Sequence, residues 1–105
     1  MKKKVILIID TSAINTAKVA VSVDGKRFEK SSESRVMKSQ MVLPLIEAVL
    51  TEQKLTLADI TAITVATGPG SFTGLRVGVS VANALGYLLD IAVNGKKALA
   101  IPRYS

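Results

Sequence analysis

The hydrophobic pattern begins with an unbroken aliphatic run at residues 5–9, Val-Ile-Leu-Ile-Ile. Such a run predicts a strand buried on both faces in the middle of a sheet. Residues 60–66 are similar in character and predict another buried strand. The two runs therefore indicate the central strands of the fold.

Residues 16–23 instead place valines at every second position, which predicts a half-buried strand. Asp24-Gly25 follows at once and is a strong hairpin signal, because a type I′ turn needs a positive φ at both central positions. Residues 26–31 then predict a polar third strand whose charges suit the edge of a sheet.

A first helix is predicted from Ser39, a capping residue, to about Gln53, after a polar loop at residues 32–37. Pro44 removes one backbone hydrogen bond and is expected to kink this helix near its start. The apolar residues of the helix share one broad face. They are Val42, Leu45, Ile46, Val49 and Leu50, with Leu43 at the margin.

A second helix is predicted from about Phe72 to Leu89, with Ser71 as its cap. Small residues recur in it at every fourth position, namely Gly74, Gly78, Ala82 and Gly86. A glycine inside a helix costs about 1 kcal/mol relative to alanine, so the repeat indicates that another backbone comes close. Two alternatives remain open: that neighbour is the sheet or first helix of the same chain, or it belongs to another subunit.

A short last strand is predicted at residues 91–93, after which Asn94-Gly95 turns the chain. Hairpins join the first three strands in antiparallel fashion, whereas helical crossovers make the later strands parallel to one another. The pattern therefore predicts a single α/β domain with a mixed sheet.

Composition narrows the chemistry that the chain can perform. Its 105 residues suffice for one domain, and 49% of them are hydrophobic. The sequence has neither cysteine nor histidine, so it lacks thiolate metal ligands and the commonest general base. We therefore expect no metal, no cofactor and no catalytic residue. The lack of cysteine fits a cytoplasmic protein.

The net charge of +6 leaves two interpretations open, a solvated surface or contact with nucleic acid or an acidic partner. With two Phe and two Tyr the chain offers no evident platform for stacking bases, so we expect RNA contact to be indirect at most. Arg76 leaves only residues 77–89 uncharged, which is shorter than the ~20 residues of a membrane span. The apolar run after Lys4 is too short for a signal peptide.

Two loops at strand ends are candidates for chemistry. Asp10-Thr11-Ser12 closes the first strand, where α/β folds keep their ligands, and Asp10 could hold Mg²⁺ or bond the turn backbone. Gly68-Pro69-Gly70-Ser71 could direct N–H groups toward an anion, but it matches no Walker A loop or dinucleotide motif. A turn role is the favoured interpretation for both loops. No histidine is available to activate either serine, so hydrolase chemistry is not expected.

Three segments together resemble the TsaB family, also called YeaZ, in order and spacing. They are Ile8-Ile9-Asp10-Thr11-Ser12, then Ser39-Gln40 with Leu43-Pro44-Leu45-Ile46, and finally GPGSFTGLRVGV from Gly68 to Val79. The third is close to a signature of that family. The resemblance covers about residues 4–93.

The resemblance implies a ribonuclease-H-like lobe of the actin, sugar kinase and Hsp70 ATPase type. It places the fourth strand beside the first, giving a mixed five-stranded sheet of order 3-2-1-4-5 with two main helices. The amino-terminal lobe of the family would occupy residues 1–95. Residues 96–105 would form a tail that departs from the family, whose members usually continue into a second lobe.

The resemblance further implies a non-catalytic scaffold that binds and activates TsaD, the subunit that modifies adenosine in ANN-decoding tRNAs with threonylcarbamoyl. A TsaE-type ATPase would join the complex, and the scaffold alone would form a homodimer. The alternative is a minimal actin-like nucleotide-binding phosphotransferase lobe that uses Asp10 and the loop from Gly68 to Ser71.

Members of the family bind TsaD, and associate with themselves, through the two helices. Carried onto this sequence, that interface comprises Val42, Leu45, Ile46, Val49, Leu75, Val79, Ala82 and Gly86. A candidate vestigial phosphate loop comprises Asp10, Thr11, Ser12, Gly68, Gly70 and Ser71.

Overall fold

The aliphatic run forms the centre of a four-stranded sheet. The structure, a computed structural model, describes residues 3–33, 38–70 and 72–97. Strand β1 (Val5–Asp10) pairs antiparallel with β2 (Thr16–Val23) and parallel with β4 (Ala62–Val65). Strand β3 (Lys26–Glu33) pairs antiparallel with β2, which gives the order β3-β2-β1-β4.

The hairpin between β2 and β3 confirms its prediction. Asp24 and Gly25 have φ values of 49° and 90°, the positive pair that a type I′ turn requires. Strand β3 runs to Glu33, two residues beyond its predicted end at Ser31, so Ser32 and Glu33 belong to the strand rather than to the predicted loop at 32–37. Residues 34–37 lie outside the described part of the chain.

Both helices pack on one face of the sheet. Helix α1 (Lys38–Glu52) contacts β2 and β3 and continues through Pro44, whereas α2 (Phe72–Leu89) contacts β1, β4 and α1. A short 3₁₀ turn at Leu57–Asp59 leads into β4. Within the three described ranges, no helix has the length and hydropathy needed to cross a membrane.

The core lies between the helices and the inner face of the sheet. In β1, Val5, Leu7 and Ile9 are buried on that face, while Ile6 and Ile8 on the opposite face are only half-buried. In β4, Ile63 and Val65 are buried and Thr64 is exposed. The prediction that these strands are buried on both faces is therefore wrong, because α1 and α2 lie on the same side.

The predicted fifth strand is also wrong. Residues 91–93 contribute one parallel bridge, between Val93 and Ile63, rather than a strand. Asn94 and Gly95, with φ values of 52° and 82°, then reverse the chain so that Lys96 pairs back with Val93. The described sheet thus has four strands and does not bear out the order 3-2-1-4-5 as a whole. The beginning of the atypical tail, 96–97, belongs to this reversal.

Candidate partner surface and loop site

Asp10 stabilises the turn that ends β1. Its Oδ1 accepts a hydrogen bond from the Ser12 backbone N–H at 3.0 Å and another from the Ser12 hydroxyl. A short acidic side chain that bonds the backbone two residues on is the usual Asx-turn arrangement. Of the two roles open to Asp10, the contacts therefore support the turn role.

Thr11 joins the end of β1 to helix α2. It is fully buried, the only polar residue of the described ranges in that class. Its hydroxyl donates to the Gly74 C=O and accepts from the Gly78 N–H, the latter at 3.0 Å. Those two backbone groups are the ones that an uninterrupted α-helix pairs with each other. The Thr11 hydroxyl therefore anchors the first turns of α2 to the sheet.

The two candidate loops pack directly against each other. A Cβ added at Gly70 would lie 2.8 Å from both the Cβ and the carbonyl oxygen of Ser12, so only glycine permits this approach. Gly68, with φ 121°, also has a backbone conformation that favours glycine. The structure thus brings Asp10, Thr11, Ser12 and Gly70 together, and packing accounts for the glycines. Ser71, predicted in the same loop and as a helix cap, lies outside the described residues.

Metal binding gains no support at these loops. Within residues 3–33, 38–70 and 72–97, no three acidic side chains cluster closely enough to hold a metal ion. The buried side-chain nitrogen and oxygen atoms of those residues all have hydrogen-bond partners. The contacts of Asp10, Thr11 and Gly70 instead make the loop site a structural junction between β1, the turn before α2, and α2 itself.

The glycine repeat of α2 is explained within the chain at two of its positions. A Cβ on Gly78 would lie 2.5 Å from Thr11 Oγ1 and 3.3 Å from Ile9 Cγ2. A Cβ on Gly86 would lie 2.5 Å from Val93 Cγ2 and 3.3 Å from the Ile91 carbonyl oxygen. At both positions the close neighbour belongs to the same chain, which is the first of the two alternatives.

The eight residues predicted at a partner interface lie mainly under the helices. Leu45 is half-buried and packs against the core. The other seven are buried: Val42, Ile46, Val49, Leu75, Val79, Ala82 and Gly86. Within this chain they hold α1 and α2 on the sheet. Other side chains of α1 and α2 form the outer faces of these helices.

Among the side chains that the structure describes on α1 and α2, three large apolar ones project from those outer faces. Tyr87 and Leu88 on the last turn of α2 are 85% and 75% exposed, and Leu43 on α1 is 51% exposed. The sequence pattern placed Leu43 at the margin of the apolar face of α1 and did not single out Leu88. Leu88 lies four residues after Ala84, which is also exposed, so both residues lie on the outer face of α2.

A shallow groove runs beside Tyr87. Its volume is about 520 Å³, and it lies between the last turns of α2 and the reversed segment after it. Asn83, Gly86 and Tyr87 line it from the helix, opposite Ile91 and Val93. Asp90, Lys96 and Lys97 also line it, with Lys97 Nζ 3.4 Å from Asp90 Oδ1. The sequence predicted the turn at Asn94-Gly95 but not this groove, because the groove depends on how the reversed segment lies beside α2.

Comparison with known proteins gives consistent matches. A family model described as "TsaD: tRNA N6-adenosine threonylcarbamoyltransferase" matches residues 33–100. The "tRNA threonylcarbamoyladenosine biosynthesis protein TsaB" of Buchnera aphidicola is 35% identical over 97 residues, which cover 92% of this chain and 46% of that protein. The TsaB proteins of Escherichia coli and Bacillus subtilis are 35% and 32% identical over 90% of this chain.

Solved structures agree with these sequence matches. YeaZ from Pseudomonas aeruginosa superimposes with a TM-score of 0.79 at 29% identity, over 89% of this chain and 42% of that one. A second structure, that of an uncharacterized protein with similarity to peptidase YEAZ from Pseudomonas aeruginosa, gives a TM-score of 0.80. The chain therefore spans less than half the length of the relatives that it matches.

Proposed function

This chain belongs to the TsaB/YeaZ family, and on that premise we propose that it acts in the biosynthesis of threonylcarbamoyladenosine in tRNA, as an accessory subunit that binds a TsaD-type catalytic subunit. The observation that carries the proposal is the match to three TsaB proteins over about nine-tenths of the chain. The amino-terminal lobe of the family is assigned to residues 1–95.

The accessory role, rather than catalysis, is supported by the side chains available. Nucleophilic catalysis needs a nucleophile beside a base, and the sequence contains neither histidine nor cysteine. Asp10 is engaged with Ser12, and the buried Thr11 hydroxyl is engaged with α2. The sequence supplies neither histidine nor cysteine for the peptidase chemistry that the name of one structural neighbour suggests.

The partner surface is assigned to the outer faces of α1 and α2. Tyr87 and Leu88 are adjacent, largely exposed and bordered by the groove, and aromatic side chains are common at the centres of protein interfaces. The eight interface residues predicted from the resemblance would support this surface from beneath, because they fix how the helices lie on the sheet. A stable interface of this kind buries more than ~1,200 Å².

The assembly proposed around this surface follows the family. A TsaE-type ATPase joins the complex with the catalytic subunit, tRNA contact is indirect, and two copies associate when that subunit is absent. The cytoplasm is the proposed location.

Reconstitution tests the accessory role. Formation of threonylcarbamoyladenosine on an ANN-decoding tRNA would be measured with cognate TsaD, TsaE and threonylcarbamoyl-adenylate, with and without this chain. We expect no product from the chain alone and an increase in product when it joins TsaD. Product formed without TsaD, or no change on adding the chain, would overturn the proposal.

A further inference from the structure

We propose that Asn94-Gly95 is a site of spontaneous covalent modification, at which the side-chain amide of Asn94 is replaced by a carboxylate, and that Val65 holds this reaction back in the folded chain. The reaction needs only water and the backbone nitrogen of Gly95. Asparagine is among the thermolabile residues of proteins. The inference rests on contacts between described residues and holds whether or not TsaD binds.

The reaction is an attack within the chain, followed by hydrolysis. The backbone nitrogen of Gly95 loses its proton and bonds to Cγ of Asn94, and Nδ2 takes up a proton and leaves as ammonia. The product is a five-membered cyclic imide that contains Cγ and the main-chain carbonyl carbon of residue 94. Water then adds to one of these two carbons and breaks its bond to nitrogen, which gives an aspartyl or an isoaspartyl residue. The sum is one water consumed and one ammonia released.

The turn itself brings the reactive pair together. The φ value of 82° at residue 95 is one that glycine adopts freely and other residues rarely adopt. The φ value of 52° at residue 94 suits asparagine, which tolerates the left-handed region. Among the described residues, a Cβ built on Gly95 would meet no heavy atom within 4 Å, and glycine lacks that Cβ. The attacking nitrogen is therefore sterically accessible to Asn94.

The folded chain holds the Asn94 amide in a planar arrangement that opposes the attack. Oδ1 accepts from the Val65 N–H at 2.8 Å, and Nδ2 donates to the Val65 C=O at 3.0 Å. Attack makes Cγ tetrahedral and moves both atoms out of that plane, so the bonds to Val65 have to open first. We therefore expect the reaction to be about tenfold or more slower in the folded chain than in the unfolded chain.

The products no longer fit the edge of β4. A carboxylate at position 94 can accept from the Val65 N–H, but its second oxygen would face the Val65 C=O, to which Nδ2 now donates. An isoaspartyl residue also lengthens the main chain within a turn that Val93 and Lys96 close by two bonds of 2.9 and 3.1 Å. Val93 is buried beside Gly86 of α2. Modification should therefore loosen this segment from both the sheet and the helix.

Peptide mapping by mass spectrometry tests the proposal, on chain incubated at mildly alkaline pH with and without unfolding guanidinium chloride. Position 94 should gain the mass difference between OH and NH₂ in both samples, about tenfold or more slowly without denaturant. Asn15 is the internal control, because the β-branched side chain of Thr16 hinders attack by its backbone nitrogen. Asn15 should therefore react several-fold more slowly than Asn94 in the unfolded sample.

Hydrogen exchange tests the protection by Val65. Below the unfolding midpoint, exchange of the Val65 N–H and modification of Asn94 should rise together with denaturant, because both need the same opening. Gly95→Ala adds a Cβ beside the attacking nitrogen and should slow the reaction several-fold in the unfolded chain. Asn94→Asp carries the carboxylate from the start and should unfold at a lower urea concentration than the original chain.

Three results would overturn parts of this proposal. An amide that persists at position 94 in guanidinium chloride would show that Asn94-Gly95 is not a modification site. Equal rates in the folded and unfolded chains would show that the bonds to Val65 do not hold the reaction back. An Asn94→Asp chain as stable as the original would show that the carboxylate fits the edge of β4 as well as the amide does.

Discussion

The side chain of Asn94 forms two hydrogen bonds with the backbone of Val65. Its Oδ1 accepts from the Val65 N–H at 2.8 Å, and its Nδ2 donates to the Val65 C=O at 3.0 Å. A continuing parallel strand would supply an acceptor and a donor to the same two groups. The amide side chain of Asn94 therefore satisfies the N–H and C=O of Val65 on the edge of β4, at the point where the chain turns away from the sheet.

Removing that amide should destabilise the domain. Asn94→Gly keeps a residue suited to φ 52° but removes both bonds, so we expect the free energy of unfolding to fall by about 1–3 kcal/mol. Asn94→Ala should cost more, because alanine adds backbone strain at a positive φ. Urea denaturation of the three proteins measures both effects. A Gly variant as stable as the original would show that solvent satisfies Val65 equally well.

The glycine at position 78 gives a second prediction. Alanine normally stabilises a helix by about 1 kcal/mol relative to glycine. Here its Cβ would meet the Thr11 hydroxyl and the Ile9 side chain, so Gly78→Ala should instead destabilise the domain by about 1–3 kcal/mol.

Thermal or urea unfolding measures this effect. Ser80→Ala, at an exposed position of the same helix, is the control that separates the cost of packing from the gain in helix propensity. The control should be neutral or slightly stabilising. Stabilisation by Gly78→Ala as well would mean that α2 is free to move away from β1.

Local features of this fold could be predicted from the sequence, whereas contacts between distant residues could not. The hairpin at Asp24-Gly25 was predictable because its signal is local. The bonds between the Asn94 side chain and the Val65 backbone were not, since these residues lie 29 positions apart. The spacing of the glycines indicated a close approach but could not identify the neighbour.

The sequence pattern also predicted which residues of α1 share a face, but not what that face contacts. A helical wheel grouped Val42, Ile46 and Val49 on one side of α1, and the structure confirms that they share a side. The wheel could not tell whether that side faces the sheet or a partner, because both environments select apolar residues. Likewise, the run at residues 5–9 indicated a central strand but not which of its faces the helices cover.

Thr11 gives a third prediction. Thr11→Val keeps the shape of the side chain but removes the hydroxyl that bonds Gly74 and Gly78, so unfolding should become easier by about 1–3 kcal/mol. Thr11→Ser retains the hydroxyl and loses only a methyl group, and should cost about 1 kcal/mol. Hydrogen exchange at the Gly78 amide should rise in the Val variant alone. If the Val variant were the more stable of the two, the helix would be closing its own backbone bonds without Thr11.

The proposed function depends on the outer face of α2. Leu88→Glu replaces a 75% exposed side chain, so the fold should be unaffected while the partner surface gains a charge. Truncation or charging of central interface residues typically weakens binding by about 2 kcal/mol or more, which is about 30-fold. Thr64→Glu places the same charge at an exposed position on the opposite face of the sheet and serves as the control.

Binding of TsaD through the outer face of α2 is tested most directly by size-exclusion chromatography with light scattering. The original chain, Leu88→Glu and Thr64→Glu would each be mixed with cognate TsaD. We predict a stoichiometric complex for the original chain and for Thr64→Glu, and loss of the complex for Leu88→Glu. No complex with the original chain would contradict the proposed role, and an undiminished complex with Leu88→Glu would contradict its placement on the outer face of α2.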